Sequence, residues 1–207
     1  MYPRPLVITS NNKNDRNNNH KQTQTQTKTN RNPRLRDLTR SDTILDSFPA
    51  NFTVTLSSSN SFSEHRRTVP LARYLEEVAT GPPLDATTKS NETWYLFGET
   101  YSEEWKELLK EYRLPPCRAC QHNNGVGVAL SFGIGNSGSG VSWHVHGPGF
   151  SEAIHGRKHW VLHPFENKPD YSPDQTSLNW MHTNYDRTPV EDRPLECTLH
   201  PGDLIYL

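Results

Sequence analysis

A change of pattern near residue 125 constrains the fold of this 207-residue chain more than any other feature of its sequence. Beyond that point helical periodicity stops, and short β-rich runs alternate with turns rich in Gly, Pro and Asn. The β-rich runs cover residues 126–134, 141–146, 152–154, 158–163, 195–199 and 204–207, and residues 135–140 are a glycine-rich turn. Short strands in close succession, with no helix between them, predict an antiparallel sandwich or barrel.

The first part of the chain carries helical patterns instead. Apolar side chains recur at helical spacing over residues 35–48, after Pro70 and after Ser102, while residues 52–56 and 94–97 are typical of strands. Helices first and strands after, without βαβ alternation, predict an α+β fold around a β core. The large apolar residues that we assign to the core are Phe132, Ile134, Trp143, Phe150, Trp160, Leu162, Phe165 and Trp180.

The charge of the chain is distributed unevenly, although its net value is only −1. Residues 1–40 carry nine Lys and Arg against two Asp and Glu, a net charge of +7, and the remainder carries −8. A basic arm on an acidic body is one signature of nucleic-acid binding, which would be salt-dependent and lost on deletion of residues 11–36. However, residues 11–32 surround their charges with Asn, Gln and Thr and hold no aromatic side chain. This composition favours a disordered insert over a nucleic-acid-binding arm.

Histidine is concentrated in the predicted β core, where residues 144–200 contain seven of the ten in the chain. Residues two apart on a strand share a face, so His144 and His146 are predicted to point the same way. Two neutral imidazoles on one face suit Fe(II), Zn(II), Cu or Ni, and a third ligand with open positions would make a catalytic site. The alternative is that both are polar positions of a half-exposed strand.

A second metal motif is Cys117-Arg118-Ala119-Cys120 with His122. A structural zinc ion normally takes four ligands, and the remaining Cys197 is distant in sequence. A local disulfide or free thiols are therefore favoured over zinc, depending on the redox compartment.

The residues around the histidine pair resemble a known family. The segment SWHVHGPGFSEAIHGRKHWVLHP at residues 142–164, followed by PGDLIY at 201–206, is similar to the JmjC (jumonji C) branch of the cupin superfamily. The resemblance extends over nearly the whole chain and is most specific in these two segments. It implies a double-stranded β-helix, the cupin or jelly-roll barrel, whose mouth holds Fe(II) and 2-oxoglutarate in active members.

The resemblance also implies roles for single residues. His144 matches the first iron ligand of the family's HxD/E motif, and His146 stands where that motif has its carboxylate. The usual 2-His-1-carboxylate triad is therefore not present. A neutral imidazole cannot offset the charge of iron as a carboxylate does. Lys158 matches a lysine that pairs with the distal carboxylate of 2-oxoglutarate, although a surface lysine between aromatic neighbours is the alternative. Val141 replaces a threonine whose hydroxyl binds the same carboxylate in several members.

The third iron ligand of the family follows the Pro-Gly-Asp strand, at a position beyond Leu207. The chain would then end on an apolar strand with an unpaired edge, a poor terminus for a stable domain. We therefore expect a fragment or a truncated gene model, with the C-terminal part of the barrel missing.

Composition and resemblance together predict four segments. Residues 1–10 hold the first strand of the JmjC-type region, and residues 11–33 form a low-complexity disordered insert. Residues 34–124 form an N-terminal helical and strand part, and residues 125–207 form an incomplete cupin core.

The family resemblance implies the lumen of the endoplasmic reticulum, where the sequons at Asn51 and Asn91 would be N-glycosylated. Residues 6–8 are too short for the apolar region of a secretory signal. No stretch approaches the ~20 apolar residues of a membrane span. We therefore expect a lumenal glycoprotein without a membrane span, whose leader is missing from this sequence.

Two functions follow from the resemblance. The first is a non-oxygenase interaction or regulatory protein of the secretory pathway, with protein partners and no required cofactor. The second is an Fe(II)/2-oxoglutarate-dependent dioxygenase that hydroxylates a protein side chain. The missing carboxylate at His146 favours the first function, and the pairing of two histidines with Lys158 favours the second.

Overall fold

The computed structural model describes residues 6–8, 31–58, 65–89, 92–115, 128–172 and 174–207. Three predicted features lie outside these residues: the sequon at Asn91, the motif formed by Cys117, Cys120 and His122, and most of the predicted insert. None of the helices in the described ranges is long and apolar enough to cross a lipid bilayer.

The N-terminal part combines three helices with a small antiparallel sheet. Its elements are α1 (Pro33–Leu38), a 3-10 turn (Ile44–Ser47), β2 (Thr53–Ser58), β3 (Arg66–Pro70), α2 (Leu71–Thr80), β4 (Trp94–Tyr95) and α3 (Glu103–Leu109). Strand β2 lies between β3 and β4. The predicted helices after Pro70 and Ser102 and the predicted strand at residues 52–56 are therefore confirmed.

The apolar run at residues 35–48 forms two short elements rather than one helix. Thr39 Oγ1 donates to Leu35 O at 2.8 Å, and Thr43 Oγ1 donates to Asp37 O at 2.6 Å. Such hydroxyl bonds to nearby carbonyls compete with helix propagation. The chain therefore turns between α1 and the 3-10 turn.

The side chains of these elements form the larger apolar interior, here called the N-terminal cluster. Its buried members are Leu35, Ile44, Phe48, Val54, Leu56, Leu71, Tyr74, Leu96, Trp105 and Leu108. Trp105 lies at its centre, with its ring 4.7 Å from that of Phe48 in an edge-on arrangement. Edge-on aromatic pairs add about 0.5–1.5 kcal/mol to the free energy gained by burying their area.

The C-terminal part is built from antiparallel strands, as the turn-rich pattern predicted. They are β5 (Phe150–Glu152), β6 (Lys158–Leu162), β7 (Leu195–Leu199) and β8 (Leu204–Tyr206). Strand β8 lies between β5 and β1 (Leu6–Ile8), and β6 pairs with β7. The pairing is nested, because the inner hairpin β6–β7 is enclosed in sequence by the outer pair β5–β8.

A smaller apolar interior, here called the β-core cluster, lies among these strands. Ala153, Leu199 and Ile205 are buried. The partly buried side chains packed against them are Trp160, Leu162, Cys197 and Leu207.

The two parts are joined by a buried polar contact at Glu152. Its carboxylate accepts hydrogen bonds from Asn32 Nδ2 at 3.0 Å and from Tyr112 Oη at 2.8 Å. Asn32 lies inside the segment predicted as insert, yet its side chain is buried and its Oδ1 accepts from Arg113 N at 2.7 Å. Burial, and then the charge of Glu152, raise the pKa of Tyr112, so this hydroxyl remains a donor.

The structure corrects the predicted strand at residues 141–146, because that segment is irregular. Ser142 Oγ donates to Gln175 O at 2.8 Å, and Ser177 Oγ donates to Val141 O at 2.9 Å. These contacts anchor the segment to the loop and helix around residue 176 instead of to a sheet. Of residues 128–134, also predicted as strand, only Ile134 pairs, in an isolated bridge with Leu96.

The expectation that no helix follows residue 125 is wrong, because α4 spans Ser177–Asn184. Thr176 caps it by accepting a hydrogen bond from Asn179 N at 3.0 Å. Trp180 on this helix is buried, as predicted for the core, and its ring lies 5.1 Å from that of Trp143. Phe165 was also assigned to the core, but it lies on a 3-10 turn beyond β6 and is 61% exposed.

Candidate metal centre

The predicted ligands His144 and His146 lie close together although they are not on a strand. Their ring centroids are 5.8 Å apart, with the ring planes at 62°. Both side chains are exposed, as is Val145 between them. The loop therefore brings the two imidazoles together at the surface, where an ion from solvent can reach them.

Each ring has one nitrogen committed to a backbone carbonyl. His144 Nδ1 lies 2.8 Å from Ser142 O, and His146 Nδ1 lies 2.7 Å from Gly147 O. Since a carbonyl oxygen only accepts, each Nδ1 carries the proton and each Nε2 keeps its lone pair. Metal-binding histidines are typically oriented in this way, with the other ring N–H donated to a backbone carbonyl or a carboxylate.

In the part of the chain that the structure describes, these two histidines have no further metal ligand beside them. Among those residues, no group of three His, Cys, Asp or Glu side chains is placed to hold one ion. Two imidazoles can bind a metal but leave its other positions to water or to other ligands.

Lys158, the predicted anion-binding residue, lies on the inner face of β6. It is opposite Leu199 in the register and shares its face with Trp160 and Leu162, which pack on the β-core cluster. Its Nζ lies 4.5 Å from the centroid of the Trp160 ring. Burial lowers the pKa of Lys158, since desolvation disfavours the charged ammonium.

A second donor on this face lacks an acceptor. The indole Nε1 of Trp160 is buried and has no hydrogen-bond partner among the described residues. Within the same residues, no carboxylate lies at ion-pair distance from Lys158 Nζ. The buried indole N–H without an acceptor, beside the half-buried Lys158 ammonium, matches the needs of an anionic ligand, because a buried donor left unpaired costs about 1–3 kcal/mol.

Sequence reasoning missed Trp160 as a polar residue and assigned it to the core. The signal was its position two residues after Lys158, which places it on the same strand face. The opposite face of β6 carries His159, which lies 2.9 Å from Thr198 Oγ1 and 2.9 Å from Glu196 Oε2. His159 is therefore bound to β7 on the outer face.

The remaining predicted site residue, Asn51, lies in an exposed turn directly before β2. The sequon residue Thr53 is exposed as well. An N-linked glycan needs such an accessible asparagine.

Similarity to curated proteins identifies the family. The chain belongs to the JmjC domain family. It is 41% identical over 175 residues to JmjC domain-containing protein 8 of Homo sapiens, covering 84% of this chain and 64% of that protein. The protein of the same name from Mus musculus is 39% identical over 175 residues, which cover 84% of this chain and 62% of that protein.

A more distant relative carries a different name. Lysine-specific demethylase JMJ21 of Arabidopsis thaliana is 32% identical over 130 residues, or 55% of this chain and 12% of that protein. The chain thus spans 62–64% of the length of its mammalian relatives and a small part of the plant one. No family model matches the chain. No solved structure matches it either.

Proposed function

We propose that this chain is a JmjC-type cupin protein that acts through protein contacts in the secretory pathway, without oxygenase activity. The observation that carries the proposal is the histidine pair itself. His146 supplies an imidazole at the position where the family motif has a carboxylate, and no third donor joins the pair in the described ranges. Two neutral ligands leave the charge of Fe(II) uncompensated.

The nested strand pairing supports a double-stranded β-helix for the C-terminal part. A jelly roll forms when a long antiparallel pair folds over, so that its inner and outer strand pairs enter two facing sheets. Strands β6 and β7 form the inner pair, and β5 and β8 form the outer pair. Trp160 and Leu162 on β6 pack on the β-core cluster, to which Ile205 on β8 also belongs, and such a shared interior supports this fold.

The residues fit the two groups of the active family members unequally. Lys158 and Trp160 offer donors suited to the carboxylate of 2-oxoglutarate. His144 and His146 fit two positions of a metal ion but not the 2-His-1-carboxylate set. A retained anion or metal would thus support folding or partner binding in this proposal.

The second candidate function is an Fe(II)/2-oxoglutarate-dependent dioxygenase that hydroxylates a protein side chain. The Lys158 ammonium and the unpaired indole N–H of Trp160 favour it, because an enzyme of this class binds an anionic cosubstrate. His144 and His146 would hold the iron with a further ligand, and Lys158 would hold the 2-oxoglutarate carboxylate. The iron, when bound, supplies oxygen activation.

The deciding experiment measures iron content and 2-oxoglutarate turnover of the purified protein, extended beyond Leu207 to include the position of the third ligand, with and without protein extract as substrate. We expect no turnover above that of a His144→Ala variant, and iron binding that increases when His146→Asp restores the carboxylate. His200→Ala, another exposed histidine in the β core, is the matched control. Turnover that requires His144 and Lys158 but not His200 would establish the dioxygenase instead.

The location in the secretory pathway rests on the family resemblance and on the exposed sequon at Asn51. Protein isolated from cells and treated with a peptide N-glycosidase should gain mobility on a gel, and Asn51→Gln should reduce that shift. An unshifted protein that fractionates with the cytosol would contradict this location.

A further inference from the structure

The end of the β6–β7 hairpin carries a groove unrelated to the histidine pair. Residues beyond β6 form a 3-10 turn at Phe165–Asn167, and residues before β7 form another at Val190–Asp192. Between them lies a cavity of about 320 Å³, lined by His163, Pro164, Asn167, Asp192, Arg193 and Leu195, among others. We call this cavity and the two turns the hairpin groove.

The hairpin groove is held in shape by short-range hydrogen bonds. The His163 ring places Nε2 3.0 Å from Asp192 O, which connects the two walls. Asn167 N donates to Pro164 O at 3.0 Å, and Asp192 N donates to Pro189 O at 2.9 Å. The surface is therefore preformed, and binding of a partner would cost little conformational entropy.

Three large apolar side chains of the hairpin groove remain in contact with solvent. Leu195, in the cavity wall, is 54% exposed, and Phe165 and Val190, at the starts of the two turns, are 61% and 75% exposed. Single exposed apolar residues are common, but several on neighbouring turns mark an interaction surface.

Three of the charged residues beside these side chains are acidic, and two, Lys168 and Arg193, are basic. Glu166 follows Phe165, and Glu191 and Asp192 follow Val190. None of these three carboxylates forms an ion pair with another of the described residues. The neighbouring Arg193 is engaged elsewhere, since its guanidinium stacks over the Tyr185 ring at 4.8 Å and its Nε donates to Thr188 O.

The geometry points to the hairpin groove as a docking site for a basic peptide segment of a protein partner, with an apolar side chain that enters the cavity. Lys or Arg side chains would pair with Glu166, Glu191 and Asp192, and an apolar anchor would cover Leu195 and Phe165. A second copy of this chain is a poorer occupant, because two acidic grooves facing each other would repel.

This inference rests on the proposed interaction role and names the chemistry of the partner. The hairpin groove lies beyond Leu162, at the end of β6 opposite Lys158. Its test can therefore use binding alone, whereas the test of the proposed function uses metal content and turnover.

The experiment measures fluorescence anisotropy of a labelled peptide, Gly-Lys-Leu-Lys-Gly-Ser-Leu-Lys-Lys-Gly, titrated with the whole chain. A second peptide with Glu in place of every Lys tests the sign of the charge. We expect the lysine peptide to bind, more weakly at high salt, and the glutamate peptide not to bind. The double variant Glu191→Lys with Asp192→Lys should weaken binding about tenfold or more, since it replaces attraction by repulsion. Leu195→Ser should weaken it as well.

The matched controls change similar residues elsewhere on the surface. Glu103→Lys with Glu107→Lys reverses two exposed charges on α3, and Leu45→Ser removes another exposed leucine. Circular dichroism should show that every variant is folded, because each altered side chain is largely exposed. Equal loss of binding in the control variants, or equal binding of both peptides, would overturn the proposal.

A different occupant would also be recognised. If the chain sediments as a dimer and Leu195→Ser makes it monomeric, the groove binds a second copy and the peptide proposal fails. If turnover of 2-oxoglutarate requires His144 while the lysine peptide still binds at the groove, the non-oxygenase function fails and the docking site stands.

Discussion

The N-terminal part and the β core arrange their interiors differently. The N-terminal cluster is apolar except for the Tyr74 hydroxyl, which donates to Ile134 O, and it contains the fully buried Trp105. The β-core cluster is smaller and shares its inner face with the ammonium of Lys158 and the unpaired indole N–H of Trp160. The N-terminal cluster therefore contributes more to the stability of the fold. The β-core cluster buries less apolar surface and has hydrogen-bond donors that can bind a ligand.

The largest expected effect separates the two interiors directly. Trp105→Ala should lower the free energy of unfolding by about 3–5 kcal/mol, because it leaves a cavity in the N-terminal cluster. Trp160→Ala should lower the free energy of unfolding by about 2 kcal/mol or less. This side chain is only partly buried, and its substitution removes no hydrogen bond. Urea unfolding measures both, and equal losses would contradict the difference between the regions.

A somewhat smaller effect concerns the contact between the regions. Glu152→Ala should cost about 2–3 kcal/mol, because Asn32 and Tyr112 remain buried without their acceptor. In a double-mutant cycle with Tyr112→Phe, the coupling energy should be about 1 kcal/mol. The exposed Glu76→Ala serves as the control, and additive losses at Glu152 and Tyr112 would show that the hydrogen bond contributes nothing.

The third prediction has the opposite sign. Lys158→Met should raise the free energy of unfolding at neutral pH by about 1 kcal/mol, because it removes a half-buried charge that has no carboxylate partner in the described ranges. Since burial lowers the pKa of Lys158 from 10.5, the unfolded chain binds this proton more tightly than the folded one. Stability of the wild-type chain should therefore fall as the pH decreases below about 10.5, and the Met variant should lack this dependence.

A loss of stability in Lys158→Met would show that the ammonium is already paired. Added 2-oxoglutarate should raise the melting temperature of the wild-type chain only, which distinguishes an anion site from a packing effect.

The smallest effect is expected where α1 meets the turn after β5. His155 Nε2 lies 2.9 Å from Thr39 Oγ1, and burial together with the charge of Arg36 lowers the pKa of His155 from 6.5. The folded chain thus binds this proton less tightly, so stability should fall as the pH decreases below about 6.5. His155→Gln should remove the dependence between about pH 7.5 and about pH 5.5 in urea midpoints. A pH profile unchanged by the substitution would contradict this role.

The spacing of apolar residues correctly predicted several helices and strands. Helix α2 begins where Pro70 suggested, β2 alternates as expected, and β6, β7 and β8 lie within the predicted runs. Residues 141–146 were mispredicted, because their partners around Gln175 are distant in sequence. Helix α4 was missed for a related reason, since its cap at Thr176 has no flanking apolar period.

The candidate site was predicted in part. Spacing brought His144 and His146 together for the wrong reason, because a loop rather than a strand places their rings 5.8 Å apart. The inward direction of Lys158 follows from strand alternation, but the unpaired indole N–H of Trp160 depends on packing that the sequence does not reveal. The exposure of Phe165 depends likewise on where the chain leaves β6.

The central position of β8 also determines the order in which the chain can fold. Residues 204–206 pair with residues 6–8 on one side and with residues 150–152 on the other. During synthesis, neither partner can complete this sheet until residues 204–206 have left the ribosome, whereas every buried member of the N-terminal cluster has emerged once residue 108 has. Contacts of such long sequence separation form slowly. Strands β1 and β5 therefore have unpaired, exposed edges until β8 pairs with them. A chaperone that shields those edges would therefore raise the yield of folded protein more than one that acts on the helical part.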